Sequence, residues 1–184
     1  MSFFEFDHIT PLHEAYAASI GRGLVVCQHL ESCAHHVMVT WAVTDRITEG
    51  ESDREELRKV ALGLRNVSLG GGIRRLEEAG DFGDERVQAL EIGRQARNWL
   101  VHEAGDVIQV GFGPSTFIDR LKEFRADIQA LCEADRVLSV SSYVICEREP
   151  VSFDTKRYAA RLEAWVLAPL AEALESLGPH EGAG

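Results

Sequence analysis

The segment from Pro11 to about Thr48 constrains the fold most, because it contains almost nothing that would stop a helix. Gly21 and Gly23 are its only breakers. Thr10 is of a type that caps helix N-termini, and proline suits the first helical position. The pattern predicts one long helix, or two helices that meet in a bend at the glycines.

Shorter segments with apolar residues at helical spacing follow, separated by Gly, Pro and acidic residues. The residues Ser52-Asp53-Arg54-Glu55 resemble a capping box that opens a second helix. Glycines 70–72 are expected to interrupt or end this helix. A further helix is predicted from Asp84 to about Glu103.

In the last third of the chain, Ser115 is expected to cap another helix, and a final amphipathic helix extends from about Asp154 to Leu177. Pro169 should end or kink that last helix. Residues 137–146 are ambiguous, because their β-branched content and alternation also suit a strand.

Mostly helical elements with short connections predict an all-α fold, an antiparallel helical bundle of about five helices. One small β-hairpin near residues 107–146 is the main alternative. The length of 184 residues favours a single domain spanning 1–184, and residues 178–184 are expected to fray.

Composition narrows the class of protein. The formal charge of -11 argues against a surface that coats nucleic acid broadly, because such binding needs a positive field. A local basic groove is still compatible with it. The acidic N-terminus does not resemble a signal peptide, and no apolar stretch approaches the length of a membrane span. Four cysteines among apolar residues favour reduced core thiols. We therefore expect a cytoplasmic protein that does not bind membranes.

One motif carries chemistry. Arg97 is followed directly by Asn98 and, five residues after the arginine, by His102. The spacing alone is uninformative, because Arg22 and His29 also fit it by chance. What distinguishes the motif is Asn98, one of only two asparagines in the chain, whereas a glycine follows Arg22.

Together with Leu100, Val101 and Glu103, this motif resembles the signature of the HEPN superfamily, in which an arginine and an adjacent polar residue precede a histidine. Members of that superfamily are helical bundles, often metal-independent ribonucleases of toxin–antitoxin and antiviral systems, and they dimerise to build one site from two copies. The resemblance, which covers roughly 30 residues, implies a HEPN-like homodimer. It also implies an RNA substrate, no metal or other cofactor, and an antitoxin protein as a further partner.

The resemblance implies a role for each motif residue. His102 would transfer protons, because imidazole titrates near neutral pH. Arg97 would brace the phosphorane oxygens through its planar fork, and Asn98 would orient the phosphate or His102. Arg94 is the candidate for an auxiliary RNA-binding contact with a phosphate.

A helical wheel of this helix predicts two apolar surfaces. Arg94, Asn98 and His102 step by four along the polar side. Six residues share one arc, which should face the core: Ala89, Ile92, Gly93, Ala96, Trp99 and Leu100. Three apolar residues share the polar side: Val87, Leu90 and Val101. Apolar side chains among Arg, Asn and His suggest a dimer interface.

The alternative function is a catalytically silent HEPN-type dimer that serves as a binding or regulatory module. In that protein, Arg97 and His102 would be held in intramolecular hydrogen bonds. The closely similar antitoxin-controlled HEPN toxins carry a tyrosine two residues after the histidine, where adenylylation occurs. This chain has Ala104 there, which excludes that modification at this position.

Two other clusters are weighed and set aside. His29, Cys33 and His36 share one helical face and could offer three zinc ligands. Buried cysteines with histidines at the rim of the core are the more common arrangement, so no metal site is predicted. The glycine-rich residues 68–75 lack the spacing of a phosphate-binding loop, and we expect Arg74 and Arg75 to lie in a solvated turn.

Overall fold

The structure is a computed structural model that describes residues 10–80, 82–105 and 114–176. Within these ranges every regular element is a helix, which confirms the predicted all-α bundle. Six helices are present in the described part of the chain: α1 (Pro11–Thr48), α2 (Arg54–Gly63), α3 (Leu69–Ala79), α4 (Asp84–His102), α5 (Pro114–Glu147) and α6 (Thr155–Ser176).

Helix α1 runs its full length without interruption, and its N-terminus is capped as predicted. The Thr10 hydroxyl accepts a hydrogen bond from His13 N, and the Thr10 backbone N–H donates to His13 Nδ1. Gly23 does not break the helix. It lies where α1 packs against α4. A Cβ built there would lie 2.7 Å from Leu100 Cδ2, so the absence of a side chain lets α4 approach closely.

The prediction for glycines 70–72 was wrong. Helix α2 already ends at Gly63, and the three glycines form the first turn of a separate helix, α3. Ser68 starts α3 by accepting a hydrogen bond from Gly71 N at 3.2 Å. Burial of Ile73 and Leu76 then stabilises the helix. Tertiary burial thus outweighs the poor helix propensity of glycine.

The ambiguous segment 137–146 is helical and forms the last three turns of α5. Val137 and Leu138 are buried in the core, so packing decides between the two structures that β-branched residues allow. The other half of the proposed hairpin, residues 107–113, lies outside the described residues. Pro169 does not end α6, which continues to Ser176.

At the centre of the bundle, α1 and α5 run parallel to each other. The rings of Tyr16 and Phe124 pack edge to face at a centroid distance of 4.9 Å. Further along both helices, His29 Nδ1 lies 2.6 Å from Asp135 Oδ1. Contacts therefore advance in the same direction along the two helices.

Helices α4 and α6 flank this pair and run antiparallel to it, which produces an up-down-up-down bundle. Helices α2 and α3 form the long connection from α1 to α4, and both pack on α1. Helices α4 and α5 approach closely, and a Cβ on Gly93 would lie only 2.2 Å from Ala134 Cβ. No helix in the described ranges combines the length and apolar character needed to cross a membrane.

Candidate functional site

Helix α4 presents a different core face from the one predicted. Leu90, assigned to the polar side, is buried at 1% exposure, whereas Ile92, assigned to the core, is 47% exposed. Gly93, Ala96 and Leu100 are buried as expected. The core arc is therefore rotated toward Leu90, because α4 lies against the α1–α5 pair through its small residues, Gly93 and Ala96.

Arg97 is held by a carboxylate from another helix. Its Nε and Nη2 atoms lie 2.6 Å and 2.5 Å from Glu31 Oε1 on α1. Its Nη1 atom donates to Asn98 Oδ1 at 3.1 Å. The Nε–Nη2 edge and the Nη1 group of the guanidinium are therefore both engaged, although the Arg97 side chain keeps a quarter of its surface exposed.

Arg94 is also paired, in this case within its own helix. Its Nε and Nη2 atoms donate to the two carboxylate oxygens of Glu91 at 2.8 Å and 2.5 Å. Hydrogen bonding by Arg94 lowers the pKa of Glu91, and the same bonds raise the pKa of Arg94. An arginine paired in this way can still turn toward a phosphate, because both side chains are partly exposed.

These side chains border a cavity of about 340 Å³ between α1, α4 and the start of α3. Arg94, Arg97 and Asn98 line it from α4, and Glu31 and His35 line it from α1. The Nε2 atom of His35 is buried there without a hydrogen-bond partner. Three of the four predicted site residues thus share one concave surface.

A second cavity of about 640 Å³ adjoins the first along α3 and α4. The two cavities share Ser68, Gly70 and Arg94. The larger one is lined by Arg74 but also by the acidic side chains of Glu77 and Asp84. The two adjoining cavities together form a groove, and this groove is lined by both basic and acidic side chains.

His102, the fourth predicted residue, is the last residue of α4 and is exposed. It does not line either cavity. Because it follows Asn98 by four residues, it lies one turn further along the same stripe of the helix. The structure therefore places His102 beyond the groove that holds the other three.

Ala104, two residues after His102, is fully buried. It belongs to the hydrophobic core together with Leu100. A ring at this position would have to displace core side chains, which costs roughly 1–3 kcal/mol. The exposed surface of α4 therefore ends at His102 and Glu103.

The zinc arrangement set aside from the sequence does not form in the described residues, where no group of three or more candidate metal ligands is found. His29 is directed to Asp135 on α5. His36 Nε2 lies 3.1 Å from Cys146 Sγ instead. The histidines that share one face of α1 are thus divided between separate partners.

Asp135 is a buried polar residue that the sequence pattern did not reveal. Its side chain is fully buried, and it accepts hydrogen bonds from Tyr158 Oη at 2.7 Å and Ser139 Oγ at 3.4 Å, in addition to its contact with His29. Burial raises the pKa of the Tyr158 hydroxyl, and hydrogen bonding to Asp135 adds to that shift. No local signal identifies such a residue, because two of its three partners, Tyr158 and His29, lie 23 and 106 residues away.

Cys33 lies next to this cluster but is not arranged as a nucleophile. Its Sγ is 3.8 Å from Nδ1 and 3.6 Å from Nε2 of His29. Nearly equal distances to both ring nitrogens show that the sulfur is not aligned with the lone pair of either nitrogen. Burial also raises the pKa of the Cys33 thiol, which disfavours the reactive thiolate.

Comparison with known proteins finds no family model, curated protein or solved structure that matches the chain.

Proposed function

We propose that this protein is a HEPN-type endoribonuclease that cleaves RNA without a metal, as a homodimer with a composite site. The observation that carries the proposal is the shared position of Arg94, Arg97 and Asn98 on the wall of one open cavity. Their stripe on α4 continues to the exposed His102. A phosphate in the cavity would meet two guanidinium groups, and a proton-transfer group would stand at its open end.

In this mechanism each group has one task. His102 removes the proton from the ribose 2′-hydroxyl, whose oxygen attacks phosphorus. Arg97 neutralises the charge that grows on the phosphorane oxygens, and Arg94 adds a second cationic contact. The 5′-oxygen leaves with a proton, and the products are a 2′,3′-cyclic phosphate and a 5′-hydroxyl.

The acid that protonates the 5′-oxygen comes from His102 of the second copy, which is why the site needs a dimer. Two exposed apolar side chains support a partner at this end of the bundle. Val101 is 39% exposed beside His102. Val25 is 54% exposed on α1, two residues beyond Gly23, which packs against Leu100 of α4. Burial of such side chains against a second copy would stabilise a dimer.

The cellular context forms part of the same proposal. The resemblance to HEPN nucleases favours a toxin–antitoxin or antiviral role in the cytoplasm, where RNA is the substrate. Since Ala104 excludes adenylylation at that position, an antitoxin would act by covering the groove or by separating the two copies.

A second candidate function is a silent HEPN-type dimer that binds or regulates a partner. The ion pair between Arg97 and Glu31 favours it, because contacts with Glu31 and Asn98 already occupy the Nε, Nη2 and Nη1 atoms of the guanidinium. In the ribonuclease, Glu31 would hold Arg97 in place until RNA displaces it. In the silent dimer, the pair would be purely structural.

Cleavage of a mixed panel of RNAs in EDTA separates the two. We expect the wild type to produce 2′,3′-cyclic phosphate ends, and His102→Ala and Arg97→Ala to lose at least roughly 100-fold in rate. Arg86→Ala is the matched control, since Arg86 is exposed on the same helix and forms no ion pair with a described residue. It should retain the wild-type rate.

Circular dichroism and sedimentation must show that each variant is folded and has the wild-type oligomeric state. A folded, dimeric wild type that leaves every RNA intact would overturn the ribonuclease proposal. If Arg97→Ala and Glu31→Gln then change only stability or assembly, the silent dimer is the better description.

A further inference from the structure

A stripe of arginine and aromatic side chains runs along the outer face of α6, on the opposite side of the α1–α5 pair from α4. Arg157, Arg161 and Trp165 follow one another at intervals of four residues, and Phe153 stands just before the helix. Residues four apart on a helix are neighbours on its surface. The four side chains line a shallow cavity of about 750 Å³.

The two arginines of this stripe are available to a ligand. Both are exposed, and neither forms a salt bridge with any residue that the structure describes. This distinguishes them from Arg94, Arg97, Arg125 and Arg136, each of which has a carboxylate partner. The stripe therefore carries two neighbouring cations with no carboxylate partner among the described residues, in a chain with a net charge of -11.

The aromatic residues of the stripe are exposed. Trp165 is 43% exposed, and Phe153 is 52% exposed. The guanidinium of Arg22 lies 5.4 Å from the Trp165 ring centroid, and its Nη1 donates to Trp165 O at 2.7 Å. The indole is thus held in position by α1 while part of its surface faces solvent.

The only acidic side chain in the lining is Asp154, and it is already engaged. Its Oδ1 atom accepts hydrogen bonds from the backbone N–H groups of Lys156 and Arg157 at the start of α6. Tyr158 also lines the cavity, and its hydroxyl donates a hydrogen bond to the buried Asp135. This bond ties the cavity wall to the protein core. The stripe is therefore cationic, aromatic and anchored to the core.

We infer that this α6 stripe binds single-stranded nucleic acid, with Arg157 and Arg161 on phosphates and Trp165 and Phe153 stacked on bases. Cations beside exposed aromatic rings are what single strands require, since every base has a stacking face and every linkage has a charge. An acidic peptide would use the arginines but would gain little from the rings. The inference does not depend on the proposed ribonuclease activity, because the surface is separate from the groove at Arg97.

The test is fluorescence anisotropy with a 5′-labelled twelve-residue oligo(dT). DNA lacks the 2′-hydroxyl that the proposed cleavage needs, so the probe stays intact whether or not the protein is a ribonuclease. We expect Arg157→Ala/Arg161→Ala to weaken binding at least about tenfold. The slope of log K against log salt should fall by about 1.4, at roughly 0.7 per phosphate contact in a single strand.

Trp165→Ala should weaken binding about fivefold or more and leave the salt slope unchanged, because stacking releases no counterions. Arg54→Ala/Arg86→Ala is the matched control, since both arginines are exposed on other helices and lack a salt bridge among the described residues. It should bind within twofold of wild type.

Three results would overturn the inference. One is equal affinity of the wild type and the Arg157/Arg161 variant. Another is displacement of oligo(dT) by polyglutamate at the same phosphate-equivalent concentration, with Trp165→Ala unaffected, which would indicate an acidic protein partner. The third is a change in sedimentation of the unliganded Trp165→Ala variant, which would assign the surface to contact between copies.

Discussion

The two sides of the α1–α5 pair use polar residues in opposite ways. On the α6 side, the Asp135 carboxylate is fully buried and accepts three hydrogen bonds. On the α4 side, the helices approach closely at Gly93 and Gly23, and the ion pair of Arg97 with Glu31 is partly exposed to solvent. Breaking a buried ion pair lowers protein stability strongly, whereas breaking a partly exposed ion pair lowers it little. The α6 side is therefore suited to hold the fold together, and the α4 side to exchange partners.

The largest effect is expected at Asp135. Replacement by alanine removes the buried acceptor that Tyr158, Ser139 and His29 share. We expect Asp135→Ala to lower the free energy of unfolding by about 3 kcal/mol, measured by urea denaturation. Asp119→Ala is the matched control on the same helix, because Asp119 is largely exposed and pairs only with Lys122. It should cost less than about 0.5 kcal/mol, and equal losses in the two variants would contradict the comparison.

A smaller effect is expected where α4 meets α5. Gly93→Ala adds a methyl group that would lie 2.2 Å from Ala134 Cβ and 3.3 Å from Ala130 O. Overpacking should outweigh the gain of about 1 kcal/mol in helix propensity and leave a net loss of about 1–2 kcal/mol. Gly63→Ala at the end of α2 meets no atom within 4 Å and should stabilise the protein slightly. Thermal unfolding of both variants measures the difference. Stabilisation by Gly93→Ala would show that the contact between α4 and α5 has room for a methyl group.

The smallest effect is expected at Glu91, and it depends on pH. Because Arg94 lowers the pKa of Glu91 in the folded protein, the ionised carboxylate contributes stability above its unfolded value of 4.5. That contribution is lost as the pH falls below about 4.5. Glu91→Gln should therefore cost about 0.3–0.5 kcal/mol at pH 7, and this cost should shrink as the pH falls from 4.5 through the lowered pKa of Glu91.

Exposed Glu172 on α6 forms no ion pair with a described residue and provides the control for this titration. Glu172→Gln should follow the wild type at every pH in a series of urea denaturations. A gap between wild type and Glu91→Gln that is undiminished at pH 3 would mean that packing, and not charge, is what the substitution removes.

Local patterns predicted much of the fold. The ends of α1 and α4 agree with the predicted bounds to within a residue or two, because capping residues and helical periodicity act over a few positions. The predictions failed where burial opposed propensity. Glycines 70–72 start a helix because Ser68 caps it and its apolar residues are buried, and residues 137–146 are helical because Val137 and Leu138 pack in the core.

For the candidate site, the sequence predicted four residues of one helix, with Arg94, Asn98 and His102 on one stripe and Arg97 beside them. It could not identify Glu31, which lies 66 residues from Arg97 along the chain, or show that His102 stands apart from the cavity. The core face of α4 was also misplaced, since a single helical wheel contains no information about which neighbour the helix packs against. For that reason Leu90, which was predicted on the polar side, is buried, and Ile92, which was predicted in the core, is exposed.

The sequence by itself determined that this chain is helical and where most of its helices begin, because those properties follow from neighbouring residues. Only the tertiary structure decided which polar groups are buried, paired or free. The register between helices set those outcomes, and that register depends on close contacts such as Gly93 with Ala134 and Gly23 with Leu100. Asp135, Glu31 and the exposed Arg157 owe their environments to contacts between helices, which no local pattern encodes.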